Sequence, residues 1–118
     1  RKYEGKNNPK GVTDFGAKGD GVADDTQAFK DALESKQDIY VPKGTYLITD
    51  KLLVRTFQTL ELSRYALLKF SDMPVCIEIG MNGKLKGGTL FVNRTFSIAW
   101  SNASKDHTSV STILTSKS

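Results

Sequence analysis

The chain has 118 residues, 38% apolar and 25% charged, with a net charge of +4, which suits one soluble domain with a modest core. Its lysines are dispersed (Lys2, Lys6, Lys10, Lys18, Lys30, Lys36, Lys43 and Lys51), which argues against a nucleic-acid-binding face. The single cysteine, Cys76, excludes an internal disulfide, and no apolar run is long enough for a transmembrane helix. No nucleic-acid partner, membrane insertion, cofactor or metal is therefore expected. No signal peptide is visible and the chain opens at Arg1, so it reads as a fragment or a processed chain.

Residues 1–11 are polar and contain Gly, Asn and Pro, the composition of a linker or attachment arm. Residues 12–16 predict a short extended run with Val12 and Phe15 turned inward. Gly19 and Gly21 flank Asp20, so residues 18–22 predict a turn, with Asp20 bonding its own loop. Ala23-Asp-Asp-Thr then predicts a helix start, with Asp24 or Asp25 as the N-cap. Ala28, Phe29, Ala32 and Leu33 fall on one face of a helix over about residues 25–34, and Lys30, Asp31 and Glu34 lie off it.

From Ile39 the period changes from helical to alternating. Ile39 and Val41 flank Tyr40, Pro42-Lys-Gly marks a turn, and Tyr46 and Ile48 alternate with Leu47 and Thr49. Leu52 and Val54, Leu60 and Leu62, and Ala66, Leu68 and Phe70 continue the series. Val75, Ile77 and Ile79 are expected inward, with Cys76 and Glu78 outward. Leu85, Leu90, Val92, Phe96, Ile98 and Trp100 follow. Runs of three to five residues, broken by Gly, Pro, Asn, Asp or Ser, point to an all-β architecture. Leu60-Glu-Leu, Ile77-Glu-Ile and Ser97-Ile-Ala, 17 and 20 residues apart, are expected at equivalent places in successive coils of a parallel β-helix. The open end of such a stack exposes backbone and apolar surface, and the one-sided helix suits a lid. Residues 101–118 hold nine Ser or Thr in 18, a continuation, a connection or a packing arm.

Two segments carry a family likeness. Val12-Thr-Asp-Phe-Gly-Ala-Lys-Gly-Asp-Gly-Val-Ala-Asp-Asp-Thr-Gln-Ala-Phe and Ile39-Tyr-Val-Pro-Lys-Gly-Thr-Tyr-Leu-Ile closely resemble the start of the pectate-lyase-like right-handed β-helix superfamily. That group includes phage tailspikes and appendages, fungal exo-glucanases and polysaccharide lyases. The resemblance implies a helix capping the N-terminal end of a β-helix, with the first coil opening at Val41-Pro-Lys-Gly-Thr-Tyr. In the family this motif is structural, and members act on different glycans or on none. The polar arm favours a phage tail component. Asn93-Arg-Thr and Asn102-Ala-Ser match the glycosylation sequon, but chance matches are common in a Ser/Thr-rich chain.

Glycoside hydrolysis needs two carboxylates about 5–9.5 Å apart. Asp24 and Asp25 are adjacent, but capping accounts for them better. Asp20, Asp24 and Asp25 lack the spacing of a calcium loop. Glu61 and Glu78, each between inward apolar residues, are expected as outward neighbours on one β-helix face, where a solvated surface is the simpler reading than a catalytic pair. Lyase chemistry wants a basic residue, and Arg55, Arg64 and Arg94 are available without distinguishing context. His107 reads as a surface residue, Cys76 as a partly covered structural cysteine, and Trp100, Tyr40 and Tyr65 as candidate sugar platforms, although a single Trp within an apolar run is more often core or interface.

The expected architecture is mainly β: a right-handed parallel β-helix with an N-terminal capping helix. Its divisions are an arm over 1–11, the capped β-helix start over 12–100 and a Ser/Thr-rich continuation over 101–118. The expected function is part of a phage tailspike or tail appendage that binds host surface polysaccharide, which the intact protein would also be able to depolymerise by hydrolysis or elimination. Its expected partners are that polysaccharide, virion tail or baseplate proteins, and two further copies in a homotrimer, with Leu67, Tyr40 and Cys76 as candidate contacts. The expected location is the virion. The alternatives are a secreted carbohydrate-active enzyme or a non-catalytic attachment module. Catalytic and substrate-binding residues are expected outside this segment.

Overall fold

A computed structural model describes residues 10–92, 98–100, 108–109 and 112–115. The strands are β1 (Lys10–Gly11), β2 (Asp20–Asp24), β3 (Ile39–Val41), β4 (Gly44–Ile48), β5 (Leu52–Val54), β6 (Thr59–Leu62) and β7 (Ala66–Phe70), followed by β8 (Ile77–Ile79), β9 (Lys84–Lys86), β10 (Thr89–Val92), β11 (Ile98–Trp100), β12 (Thr108–Ser109) and β13 (Thr112–Thr115). One helix, α1 (Thr26–Glu34), interrupts them. The strands form three sheets ordered β1-β3-β6-β9-β12, β2-β4-β7-β10-β13 and β5-β8-β11, with parallel pairing throughout the described residues. The first, second and third sheets take successive strands in rotation. Each coil therefore lays one strand on every sheet and returns, which is a parallel β-helix of about three turns.

The period follows from the register. Ile39, Leu60, Leu85 and Thr108 stack in the first sheet, at steps of 21, 25 and 23 residues. Thr45, Leu67, Thr89 and Thr112 stack in the second, at 22, 22 and 23. Leu52, Ile77 and Ile98 stack in the third, at 25 and 21. The expected equivalence of Leu60-Glu-Leu with Ile77-Glu-Ile therefore fails: the former lies in the first sheet and the latter in the third. Any half-buried strand reads apolar-polar-apolar, so the triplet alone cannot tell one sheet from another.

The core is the inside of this coil. Ile39, Leu60 and Leu85 are fully buried in one stacked row, as are Tyr46, Leu68 and Leu90 in another and Leu52 and Ile77 in a third. Each such side chain contributes about 1.5–3 kcal/mol relative to exposure. The alternation expected for these strands holds in β3 to β10. Cys76 departs from it. Expected outward, it is fully buried next to buried Ile77, because β8 begins only at Ile77 and the preceding residue still follows the turn inward. Its carbonyl accepts the Leu52 N–H at 2.9 Å.

The first turn is built differently. Lys10–Gly11, on the polar arm, pairs with Ile39–Tyr40 as a two-residue strand. Residues 12–15, expected to be extended, form a 3-10 helix closed by Gly16 at φ +100°. Val12 is buried there while Phe15 is only half-buried. β2 then takes the second sheet's place, and α1 occupies the place a third-sheet strand would fill before β3. Its predicted face, Ala28, Phe29, Ala32 and Leu33, is buried, and the helix packs on the 3-10 turn and on β5, the end strand of the third sheet. Phe29 meets Tyr46 edge to face, with ring centroids 5.4 Å apart. The helix thus closes the coil by taking a strand's place at the end of the third sheet, where no further strand lies among the described residues.

Glycines permit close approaches at Gly19, Gly44, Gly87 and Gly88, two of which show the principle. A Cβ on Gly19, at φ +63°, would lie 2.9 Å from the Tyr46 ring. One on Gly87, at φ +79°, would lie 2.2 Å from the Leu62 carbonyl oxygen. The first lets Tyr46 fill the first turn, and the second lets the β9–β10 corner sit on the coil below.

Candidate functional site

The acidic stretch 20–25 is the densest group of chemical side chains in the sequence, and each carboxylate has a backbone task. Strand β2 pairs Asp20 with Thr45 and Asp24 with Leu47, so five residues of β2 span three of β4. The surplus loops out as a bulge. Asp20 Oδ1 folds that bulge by accepting the N–H groups of Val22 and Ala23 at 3.0 and 2.9 Å. These bonds hold the Asp20 carboxyl below its usual pKa.

Asp24 accepts from the Thr26 N–H at 2.9 Å and the Thr26 hydroxyl, and from the Thr49 hydroxyl at 2.8 Å. The Thr49 N–H donates in turn to Thr26 Oγ1 at 2.7 Å. The start of α1 is thereby fastened to the end of β4. The Asp24 pKa is lowered, first by the Thr26 hydroxyl, then by the Thr26 N–H and the Thr49 hydroxyl.

Asp25 occupies the N-cap position, but its side chain makes no capping bond to α1. It turns back instead, and its two oxygens accept the Lys18 and Gly19 N–H groups at 2.9 Å each. The cap expected of Asp24 or Asp25 is thus supplied by Asp24 through the Thr26 N–H. Asp25 is 3% exposed, and burial is tolerable because both oxygens are satisfied. Tyr46 completes the cluster, donating its hydroxyl to the Pro42 carbonyl at 2.8 Å. Burial, and secondarily the Asp25 charge, raises its phenol pKa.

A residue the sequence left unmarked closes the other end of α1. Gln58 is 2% exposed. Its amide donates to the carbonyls of Leu33 and Gln37 at 3.0 and 2.7 Å, and its Oε1 accepts the Arg55 N–H at 2.9 Å. Helix C-termini leave carbonyls without intrahelical donors, and Gln58 reaches them from the turn between β5 and β6. No local pattern distinguishes it from any surface glutamine.

The remaining candidates are scattered. Glu61 lies on β6, in register with Tyr40 and Lys86 in the first sheet. Glu78 lies on β8, in register with Leu53 and Ala99 in the third, and pairs with Lys51 at 2.7 Å. The two glutamates do not share a face, which corrects the expected pair. Arg64 lies 5.4 Å from the Tyr65 ring centre, and both residues are exposed. Tyr40 is 36% exposed on the outer row of the first sheet. Arg94, His107, the two sequons and Phe96 lie outside the described residues, and Trp100 is placed only by its register with Ile79. Among the described residues no group of three or more His, Cys, Asp or Glu side chains is arranged to hold a metal ion.

Comparison with known proteins agrees with this architecture. Residues 11–62 match the family model described as rhamnogalacturonase A/epimerase, pectate lyase-like. Over 63 residues the chain is 46% identical to the preneck appendage protein of Bacillus phage PZA and, equally, to that of Bacillus phage phi29. These alignments cover 52% of this chain and 7% of either phage protein, so the chain corresponds to a small part of their length. Among solved structures, PfbA, a surface adhesin of Streptococcus pneumoniae, superposes with a TM-score of 0.64 at 26% identity, covering 73% of this chain and 24% of the adhesin.

Proposed function

We propose that this chain, whose residues 11–62 match a pectate-lyase-like family model, is the capped start of a phage tail appendage that attaches to host surface polysaccharide. The observation that carries this reading is the 46% identity to phage preneck appendage proteins over 63 residues. The similarity to a surface adhesin points the same way, toward attachment. Every carboxylate of the acidic motif is engaged in holding the first turn, so its role here is to start and close the coil. Any depolymerising activity of the intact protein then belongs to later coils or to subunit boundaries. The proposed assembly is a homotrimer on the virion, with outward Tyr40 and Leu67 as contact candidates. Cys76 is withdrawn from that set, because a fully buried thiol cannot meet a neighbour.

The test is retention of the longer protein on a panel of immobilised host capsule and wall polysaccharides, with sedimentation to read its mass. Saturable retention by one polysaccharide and a trimeric mass support the proposal. No retention by any host glycan overturns polysaccharide attachment. A monomer at micromolar concentration overturns the trimer and favours the secreted-enzyme alternative.

A further inference from the structure

The corner between the third and first sheets is built the same way in two successive coils. Residues 55–58 join β5 to β6 and residues 80–83 join β8 to β9, with Val54 and Ile79 in register before the corner and Thr59 and Lys84 after it. Each corner is closed by a backbone bond of 2.9 Å, from the Gln58 N–H to Arg55 and from the Gly83 N–H to Gly80. Each has a left-handed third residue, Phe57 at φ +63° and Asn82 at φ +58°. We propose that Phe57, with Asn82 one coil away, is a binding platform for a neutral pyranose unit of a host glycan. This site rests on the polysaccharide reading above and gives it a place of contact and a kind of sugar.

The first observation is that Phe57 is unfavourable where it stands on two counts. The third position of such a turn suits Gly or Asn, which tolerate a positive φ, and the second corner has Asn there. A bulky side chain in the left-handed region is strained. Burial does not compensate, because Phe57 is 73% exposed. Asn82, at the equivalent place one coil on, shows that the fold itself needs no ring at this position. A side chain that strains the backbone and gains little packing points to a contact outside the fold.

The second observation is what surrounds the ring. Neighbouring coils stack about 4.8 Å apart, and the Phe57 N–H donates to the Met81 carbonyl at 3.1 Å. Thr56 is therefore in register with Met81, and Phe57 with Asn82. Met81 is 56% exposed and widens the apolar surface beside the ring. Thr56 is exposed and Asn82 half-buried, and among the described residues neither side chain makes a hydrogen bond. A ring edged by a hydroxyl and an amide suits a sugar: the negative π face takes the C–H face of a pyranose, and the polar groups take its hydroxyls. Thr56, Phe57, Met81 and Asn82 carry no charge, which favours a neutral sugar over a uronate. Two apolar side chains fall well short of the roughly 800 Å² per partner that a stable protein contact buries, which favours a saccharide over a second copy.

The test is NMR titration of the 118-residue chain with cellohexaose as the neutral probe and a galacturonate hexamer as the charged one. Cellohexaose should shift the Phe57 ring and Asn82 side-chain amide resonances and saturate by millimolar concentration. Phe57→Asn should weaken binding about tenfold or more and at the same time raise the urea unfolding midpoint, because it relieves the left-handed strain. Phe57→Tyr should keep the binding. Opposite movement of affinity and stability is the signature, since damage to the fold would lower both. No shift at Phe57 and Asn82, unchanged affinity or a lower urea midpoint in Phe57→Asn, or tighter binding of the galacturonate hexamer would each overturn the platform. So would a change of sedimentation mass in Phe57→Asn, which would make the corner a subunit contact. Equal retention of the longer protein and its Phe57→Asn form on one host polysaccharide would overturn the platform and leave attachment standing. Absence of retention, with cellohexaose still shifting Phe57, would overturn attachment and leave the platform.

Discussion

The first turn and the coils above it solve the same packing problem with different chemistry. Above Ile39, inward rows such as Ile39-Leu60-Leu85 and Tyr46-Leu68-Leu90 stack apolar side chains on apolar side chains, and their strands β3, β4, β6, β7, β9 and β10 each have a neighbour above and below. Among the described residues the first turn has no strand beneath it. A 3-10 turn, a bulged strand and a helix fill the space, and polar groups hold them: buried Asp25 on the Lys18–Gly19 turn, exposed Asp24 on Thr26 and Thr49, buried Gln58 on the helix end. An interior coil is specified by apolar pattern alone. An end must also satisfy backbone groups that have lost their ladder, and directional hydrogen bonds are the means.

This contrast can be broken from either side, and the largest effects should come from the apolar interior. Leu68→Ala, between Tyr46 and Leu90, and Phe29→Ala, on the helix face, should each cost about 3–5 kcal/mol in urea unfolding. If the helix is a true part of the core the two losses should be comparable. A Phe29→Ala loss below about 1 kcal/mol would show α1 to be only loosely attached.

Next come the polar supports of the first turn. Asp25→Ala leaves the Lys18 and Gly19 N–H groups without their acceptor and should cost about 1–3 kcal/mol. Gln58→Leu should lose about 1–2 kcal/mol for the same reason at the Gln37 carbonyl and the Arg55 N–H, while the Leu33 carbonyl keeps the Lys36 N–H. Hydrogen exchange would sharpen the contrast: both variants should speed exchange in α1 while β7 and β10 keep their protection.

Acid should separate the two regions as well. The Asp24 carboxyl is depressed in the folded chain, whereas an unfolded Asp titrates near about 3.9. Its contribution is therefore complete above the unfolded value and is lost as pH falls through the lower folded one. Stability should be nearly level from pH 7 to about 5 and decline below about 4, and Asp24→Asn should flatten that decline. Unfolding midpoints from pH 2.5 to 7 provide the check. The smallest effect belongs to the surface of the coils: Lys51→Ala, which removes the exposed pair with Glu78, should change stability by less than about 0.5 kcal/mol.

Much of the coil was legible in the residues themselves. The apolar face Ala28, Phe29, Ala32 and Leu33 and the alternations from Ile39 to Val92 follow from side-chain periodicity, which depends only on whether the local backbone is helical or extended. Asp20 bonding its own loop was also legible, because its partners lie two and three residues away. The task of Asp25 was not. Capping is the local expectation for an Asp there, and only the return of residues 18–19 beside it redirects its oxygens. Gln58 was invisible for a similar reason, since its acceptors lie 25 and 21 residues back.

The sequence by itself determined that this protein would be a capped stack of short strands, because periodicity and glycine placement are local properties of the chain. Only the tertiary structure decided which strand lies on which sheet, and with it that Glu61 and Glu78 stand apart, that Cys76 is inside, and that α1 takes a strand's place. The corners between strands set the register, and equal apolar triplets carry no mark of the sheet they join.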